Sequence, residues 1–449
     1  MTGVLGRTGP EPAGWKPLTR IAFRFCFLYF GLFCLLTPPI VFVLTGWFGR
    51  WLGYDAQYWH IQKMQPALNW VSQHLFGTTA QLYPNGVGDQ TIFWVLLFCI
   101  LAVAVAGTAV WSVLDRRRTH YRTLAGWYLL VIRLLLAGQM LSFGFAKAIP
   151  TQMPQPSLTT LLTNYGDLTP MAVLWSQVGV SRPYEMLLGA AELTAAVLLF
   201  IPRTALLGAL LTLIDTLQIV VLNMTFDVPE KISSTHFLLM SLVLLTPEAP
   251  RLMQALLLNR TTGPSTVPHP FHTTRSRRIA ALAQVALGIW IAAALVHGGW
   301  HAWRGGGPDR PKPPLYGIWS VSQFTRDGEA VPPLTTDETR WKTVVFDYPN
   351  TITYQRMDDT LVTVPADVDA AAHRIRLTAG TLQSGSAVKP GRTRNPLGTL
   401  TFQQPAPDKA VLTGELDGHQ VTIALDRIDP NNFPQRSTPF HWVQNRPNL

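Results

Sequence analysis

Seven stretches of this chain are apolar over about the 20 residues that a helix needs to cross a bilayer. They run near 20–47, 91–114, 124–147, 184–201, 204–224, 233–249 and 279–299. Such a pattern predicts a polytopic helical bundle, because helices satisfy their own backbone hydrogen bonds where no water can. Composition agrees: 14% of the 449 residues are charged, against about 25% in soluble domains. The first stretch is too long for a cleaved signal and lacks a small-residue cleavage site, so it reads as a retained helix. Pro38-Pro39 predicts a kink in it.

The net charge of +10 would suggest nucleic acid in a soluble protein. Here the arginines sit in clusters between apolar runs, and no nucleic-acid motif is visible. Arg7, Lys16 and Arg20 precede the first stretch, Arg116, Arg117, Arg118 and Arg122 follow the second, and Arg203 follows the fourth. Arg251, Arg260, Arg275, Arg277 and Arg278 follow the sixth. The opposite loops hold Arg50, Lys63, Lys147, Arg182 and Lys231. This bias predicts a bacterial-type inner membrane, a cytoplasmic N-terminus and a periplasmic or extracellular C-terminal region. Of the opposite loops, 48–90 is rich in aromatics and predicts a helix lying on the interface. Residues 148–183 read either as a lid or binding wall, or as a re-entrant or interfacial helix with no ligand. Cys26, Cys34 and Cys99 lie in apolar segments without a CxxC, which argues against a disulfide framework or a zinc site.

At HAWRGGGPDRPKPP the composition changes, and a Gly/Pro linker begins. Beyond it, YGIWSVSQF, TITYQRM, AVLTGELDG and HQVTIALDRI alternate at period two. That predicts a small antiparallel β-barrel or sandwich. ELDGHQVTIAL reads as a hairpin with Asp417-Gly418 at its positive-φ turn. The organisation expected is N-terminal helices and outer loop over 1–119, a four-helix unit over 120–260, and a cytoplasmic loop with the last helix over 261–303. A linker over 304–315 and a β domain over 316–449 complete it.

Charges within a bilayer need a partner or a purpose. Arg133, Glu192 and Asp215 fall near the middles of their helices, which predicts a buried cluster of one cation and two carboxyls. It serves either as an ion-pair lock or as a proton relay. Lys147 follows Arg133 by 14 residues, on nearly the same helix face and roughly 21 Å further along the axis. It is either a lysine reaching the interface or the working group of a polar pocket. The turn FDVPEKISSTHF approaches from the other side. Ser233, Ser234 and Thr235 are candidate caps for the sixth helix, which would leave a neutral His236 in its first turn. Asp227, Glu230 and Lys231 crowd the same turn. Lys147 and His236 are the candidate catalytic groups, and the other three are candidate substrate contacts. A lone histidine with scattered carboxylates does not make a metal site.

VIRLLLAGQMLSFGFAKAIPTQMP resembles the signature of the DoxX-like membrane proteins, and YEMLLGAAELTAAVLLFIPRTALLGALL resembles that family's next hairpin. GVGDQT, PMAVLWSQVG and NMTFDVPEKISSTHFLLMSLVLLTPE are similar to a longer subfamily with extra N-terminal helices and a C-terminal β domain. The resemblance implies a membrane component of quinone-linked redox systems, such as thiosulfate:quinone oxidoreductase, with Arg133, Glu192 and Lys147 as the positions carried over. More remotely, G-x-x-K before an extracytoplasmic β domain resembles the vitamin K-dependent γ-carboxylases, where a lysine acts as a base toward reduced quinone. Gly317-x-Trp319 is similar to a lipocalin-like barrel.

The resulting expectation is a quinone-associated redox protein with an outward-facing polar pocket, an isoprenoid quinone, membrane lipid and a redox partner. The alternative is a non-catalytic scaffold that binds a lipophile through its β domain. A proton-coupled transporter using Glu192 and Asp215 ranks last, since no inverted repeat is visible.

Overall fold

A computed structural model of the chain describes residues 14–265, 267–308, 310–380 and 396–445. Arg7 and the last four residues of the FHWVQNRPNL tail lie outside the described residues. The chain divides into two compact units. One holds the residues up to Gln152 together with Pro183–Trp303, and the other holds Met153–Arg182 with Arg304 onward.

The helices in chain order are α1 (Pro17–Leu36), α2 (Pro38–Phe42), α3 (Tyr54–Val71), α4 (Thr91–Leu114), α5 (Arg122–Ala148), α6 (Leu158–Leu162) and α7 (Pro170–Val180). There follow α8 (Arg182–Phe200), α9 (Ala205–Thr225), α10 (Lys231–Leu245), α11 (Ala249–Leu252), α12 (Thr274–Gly306) and α13 (Pro434–Ser437). Among the described residues, seven spans are long and apolar enough to cross a membrane: α1, α4, α5, α8, α9, α12, and Lys231–Leu257, which joins α10 to α11. Each overlaps one of the seven apolar runs.

The first run departs from expectation. Pro38-Pro39 breaks the helix instead of kinking it: α1 stops at Leu36, Thr37 is extended, and α2 restarts at Pro38. Proline pushes the residue before it out of the helical region and removes a donor. Gln139 on α5 donates its Nε2 to the Pro39 carbonyl (2.9 Å) and the Ile40 carbonyl (3.4 Å) near the break. The core of this unit runs through Ile132, Leu136, Met140, Ala195, Ala196 and Leu199.

Two glycines set how α5 meets α8. A Cβ on Gly189 would lie 2.4 Å from the Ala148 nitrogen, and one on Gly144 would lie 2.8 Å from Leu193 Cγ. The C-terminal end of α5 therefore packs nearly backbone to backbone on the middle of α8. This is the close approach that small residues permit between membrane helices.

In the second unit, β1 (Gly317–Arg326), β2 (Glu329–Ala330), β3 (Trp341–Phe346), β4 (Thr351–Arg356), β5 (Leu361–Asp369), β6 (Arg374–Thr378), β7 (Pro396–Ala406), β8 (Lys409–Leu416) and β9 (His419–Ile428) form one antiparallel sheet. β9 pairs back onto β1, from Ile318↔Ile428 to Arg326↔Val421, so eight strands close a barrel and the two-residue β2 is appended to β1. Closure pairs the two edges of the eight-stranded sheet with each other. Trp319, Phe324, Trp341, Phe346, Ile375 and Ile423 belong to one buried core, so side chains fill the interior. Trp319 donates to the Leu315 carbonyl at 2.7 Å. Asp417 and Gly418 take φ of 52° and 78° in the β8–β9 hairpin, as the Asp-Gly pair predicts.

The segment 153–182 belongs to this β unit. Leu158 packs with Ile318 and Val345 on the outer face of the barrel. Its N–H donates to Asp347 Oδ2 at 2.8 Å. Asp347 also pairs with Arg310, and Arg436 donates to the Pro156 carbonyl at 3.2 Å. Burial pushes the Asp347 carboxyl above its ordinary range, with Arg310 opposing.

Candidate functional site

Lys147 is buried, not splayed to an interface. Its Nζ reaches both carboxylate oxygens of Glu192, at 2.7 and 3.0 Å, with the two side chains 7% and 5% exposed. The ammonium also lies 5.6 Å from the Phe143 ring centre. Asp215 on α9 stands within electrostatic reach of both partners, and its Oδ2 is buried with no hydrogen bond among the described residues. The trio holds two carboxyls against one ammonium, so its electroneutral state keeps one carboxyl proton.

The expected Arg133–Glu192–Asp215 cluster is corrected here. Arg133 hydrogen-bonds Gln284 on α12 instead. The expectation set the helices at matched depth, whereas the glycine contact places the end of α5, with Lys147, beside the middle of α8. Sequence reasoning also missed Arg24. It is buried in α1 and donates to the Tyr121 hydroxyl (2.6 Å), Ser112 (2.9 Å) and the Asp115 carbonyl (2.8 Å). The hydropathy reading of the first apolar run did not single it out.

The α9–α10 turn also differs. Ser233, Ser234 and Thr235 do not cap α10, which begins at Lys231. Asp89 caps it from a distant loop, accepting from the Lys231 N–H (2.8 Å) and the Ile232 N–H (3.0 Å). A carboxylate there satisfies two of the helix's open donors and opposes its positive end. A cap drawn from 142 residues away escapes any local sequence rule, although GVGDQT marks its position. Gly88 N–H also donates to the Pro229 carbonyl at 3.0 Å. Lys231 pairs with Asp227 (2.8 Å) and lies 3.7 Å from Asp89. Asp227, Glu230 and Lys231 are thus brought together, with Asp89 as the unforeseen fourth member.

His236 falls in the second turn of α10, not the first. Its Nδ1 lies 2.7 Å from the Ile232 carbonyl and so carries the hydrogen, which leaves Nε2 to accept from the Tyr29 hydroxyl at 2.9 Å. In the neutral ring this is the Nδ1–H tautomer. The ring stacks on Phe33, with centres 3.8 Å apart. No hydrogen bond or ion pair joins His236 to Lys147 among the described residues. They belong to separate clusters.

Glu230 opens onto a cavity of about 110 Å³ lined by Phe33, Tyr58, Phe93, Leu97, Ile232 and the 86–88 loop, among others. Burial pushes its carboxyl up to about 7, the Asp89 charge adds to this, and the Ser233 hydroxyl and the Gly88 N–H oppose it. A carboxyl poised there can give or take a proton near neutral pH. Lys147 lines neither this cavity nor the larger one beside Arg133. No group of three His, Cys, Asp or Glu that could hold a metal occurs among the described residues.

A stretch of 122 residues, 25% of this chain, is 34% identical to 71% of the uncharacterized protein YwoB of Bacillus subtilis (strain 168). The chain belongs to the YwoB family. No protein-family model and no solved structure matches it. YwoB is itself described as uncharacterized, so membership assigns no reaction, and the chemistry of the site rests on its geometry.

Proposed function

We propose that the helical unit is a quinone-associated redox component of the membrane, which receives a quinol headgroup in the cavity beside Glu230. One observation carries the reading: a carboxyl that titrates near 7 faces a small cavity walled by Phe33, Tyr58, Phe93 and Leu97. At about 110 Å³ the cavity is small beside ordinary ligand pockets of about 300–1,000 Å³. It suits a ring and leaves an isoprenoid tail among the helices. A quinol that loses two electrons releases two protons. Ionised Glu230 accepts one, the other leaves to solvent, and the electrons pass to a soluble or membrane redox partner. His236 and Tyr29 stand behind Phe33 and hold that wall. In this reading Lys147 and Glu192 keep α5 and α8 in register, and the DoxX-like resemblance supplies the substrate class. The arginine bias supports a bacterial-type inner membrane with a cytoplasmic N-terminus and a periplasmic barrel.

The test is quinone extraction from protein purified in nanodiscs, followed by mass spectrometry. Quinone should accompany the wild type, disappear from Leu97→Trp, which fills the cavity, and remain in Glu230→Gln while losing its oxidation by host-membrane partners. Absence from the wild type, or equal content in Leu97→Trp, would overturn the proposal. The filled barrel core weighs against carriage of a lipophile inside the β unit, and leaves a scaffold role as the alternative for that part.

A further inference from the structure

A second cavity, of about 510 Å³, is bounded by α5, the α8–α9 turn, the end of the Lys231–Leu257 span, Ser265, the 267–271 loop and the start of α12. Arg133, Arg203, Arg251 and Arg277 line it, against the single carboxylate of Glu248. Glu248 is occupied by Arg251 and by the Ser265 hydroxyl. Arg133 reaches Gln284 through one terminal nitrogen, and Arg277 donates its Nε to the Phe271 carbonyl at 3.1 Å. The Nε groups of Arg133 and Arg251 are buried with no hydrogen-bond partner among the described residues.

The wall is firmly placed. A Cβ on Gly126 would lie 2.9 Å from the Pro270 nitrogen, and Trp127 meets Phe271 edge-on at 5.3 Å. Burial, then Arg277 and Arg133, hold the His269 imidazole below its ordinary pKa, which favours its uncharged form. The opposite lining is apolar: Leu129, Leu130, Leu206 and Leu244.

We infer that this cavity binds a phosphate group, its planar guanidinium forks matching phosphate oxygens while its leucine wall meets an acyl chain. Arginine recognises phosphate bidentately, and basic pockets between membrane helices hold anionic headgroups. The phosphate comes from a lipid headgroup or from a free phosphate, and the two sources are separable.

The full chain is supplied with phosphatidylglycerol and examined by native mass spectrometry, and separately titrated with inorganic phosphate in phosphatidylcholine nanodiscs. Arg203 and Arg277 are exposed, so R203Q/R277Q should fold, which a wild-type circular dichroism spectrum checks. R116Q/R117Q, which removes the same charge from exposed positions away from the cavity, is the control. One retained phosphatidylglycerol per wild-type chain is expected, with affinity lowered at least about tenfold in R203Q/R277Q and unchanged in the control. Saturable heat with inorganic phosphate and no lipid adduct would keep the site and assign it a soluble ligand. No binding of either probe, or equal loss in both double variants, overturns the inference.

Discussion

The ammonium of Lys147 bridges both carboxylate oxygens of Glu192 across the contact of α5 with α8, where Gly144 and Gly189 bring the two backbones together. Two charges removed from water attract strongly, but each costs several kcal/mol to desolvate, so removing one partner is worse than removing both. Lys147→Ala or Glu192→Ala should each cost about 3–5 kcal/mol. The double change Lys147→Met with Glu192→Leu should recover most of it. Unfolding of all three in nanodiscs checks this, and a double variant as unstable as either single would contradict it.

Gly189 is the geometric condition for that pair. Gly189→Leu places side-chain atoms where the Ala148 nitrogen stands. It should destabilise by more than the about 1–3 kcal/mol typical of overpacking, since the helices must part and the ion pair must stretch. Gly166→Ala, with open space around its Cβ, is the control that should be near neutral.

Glu230 gives stability a pH dependence. Its ordinary carboxyl value is 4.5 and its folded value is about 7. The folded state therefore holds a proton that the unfolded state has lost between those values. Stability from this group is full below about pH 4.5 and falls as pH rises toward 7, by on the order of 3 kcal/mol. Thermal unfolding between pH 4.5 and 8 should show this slope in the wild type and lose it in Glu230→Gln.

Asp89→Ala removes the carboxylate that accepts from two N–H groups of α10. A loss of about 1 kcal/mol is expected for a cap, read locally as faster amide exchange at Lys231 and Ile232. Exchange at Phe237, deeper in the helix, should change little.

Asp347→Ala removes the carboxylate that pairs with Arg310 and accepts from the Leu158 N–H. Proteolysis within 153–182 should quicken while the barrel core persists. Unchanged cleavage would mean that the apolar contact of Leu158 suffices.

The sequence made the seven spans and the β region legible because hydropathy and alternation are local. Asp417-Gly418 was legible for the same reason: two adjacent residues specify one turn. The partner of Glu192 was not. It depends on how far α5 slides past α8, and that offset is set by Gly144 and Gly189 acting together across two helices. The cap on α10 was hidden because local rules favoured Ser233, Ser234 and Thr235 over a carboxylate in another loop. The cluster of Asp227, Glu230 and Lys231 was visible, since its members are neighbours in the chain. The cavity beside Glu230 was not, because its walls come from α1, α3, α4 and α10.

The assignment of 153–182 to the β unit has a consequence for how this protein can be shortened. The two units are interleaved along the chain and not joined end to end. A stop codon after the last span would delete the surface that shields Leu158 and the acceptor of its N–H, yet keep the segment that needs them. Genetic removal of the barrel is therefore clean only if residues 153–182 are replaced by a short polar connection between α5 and α8.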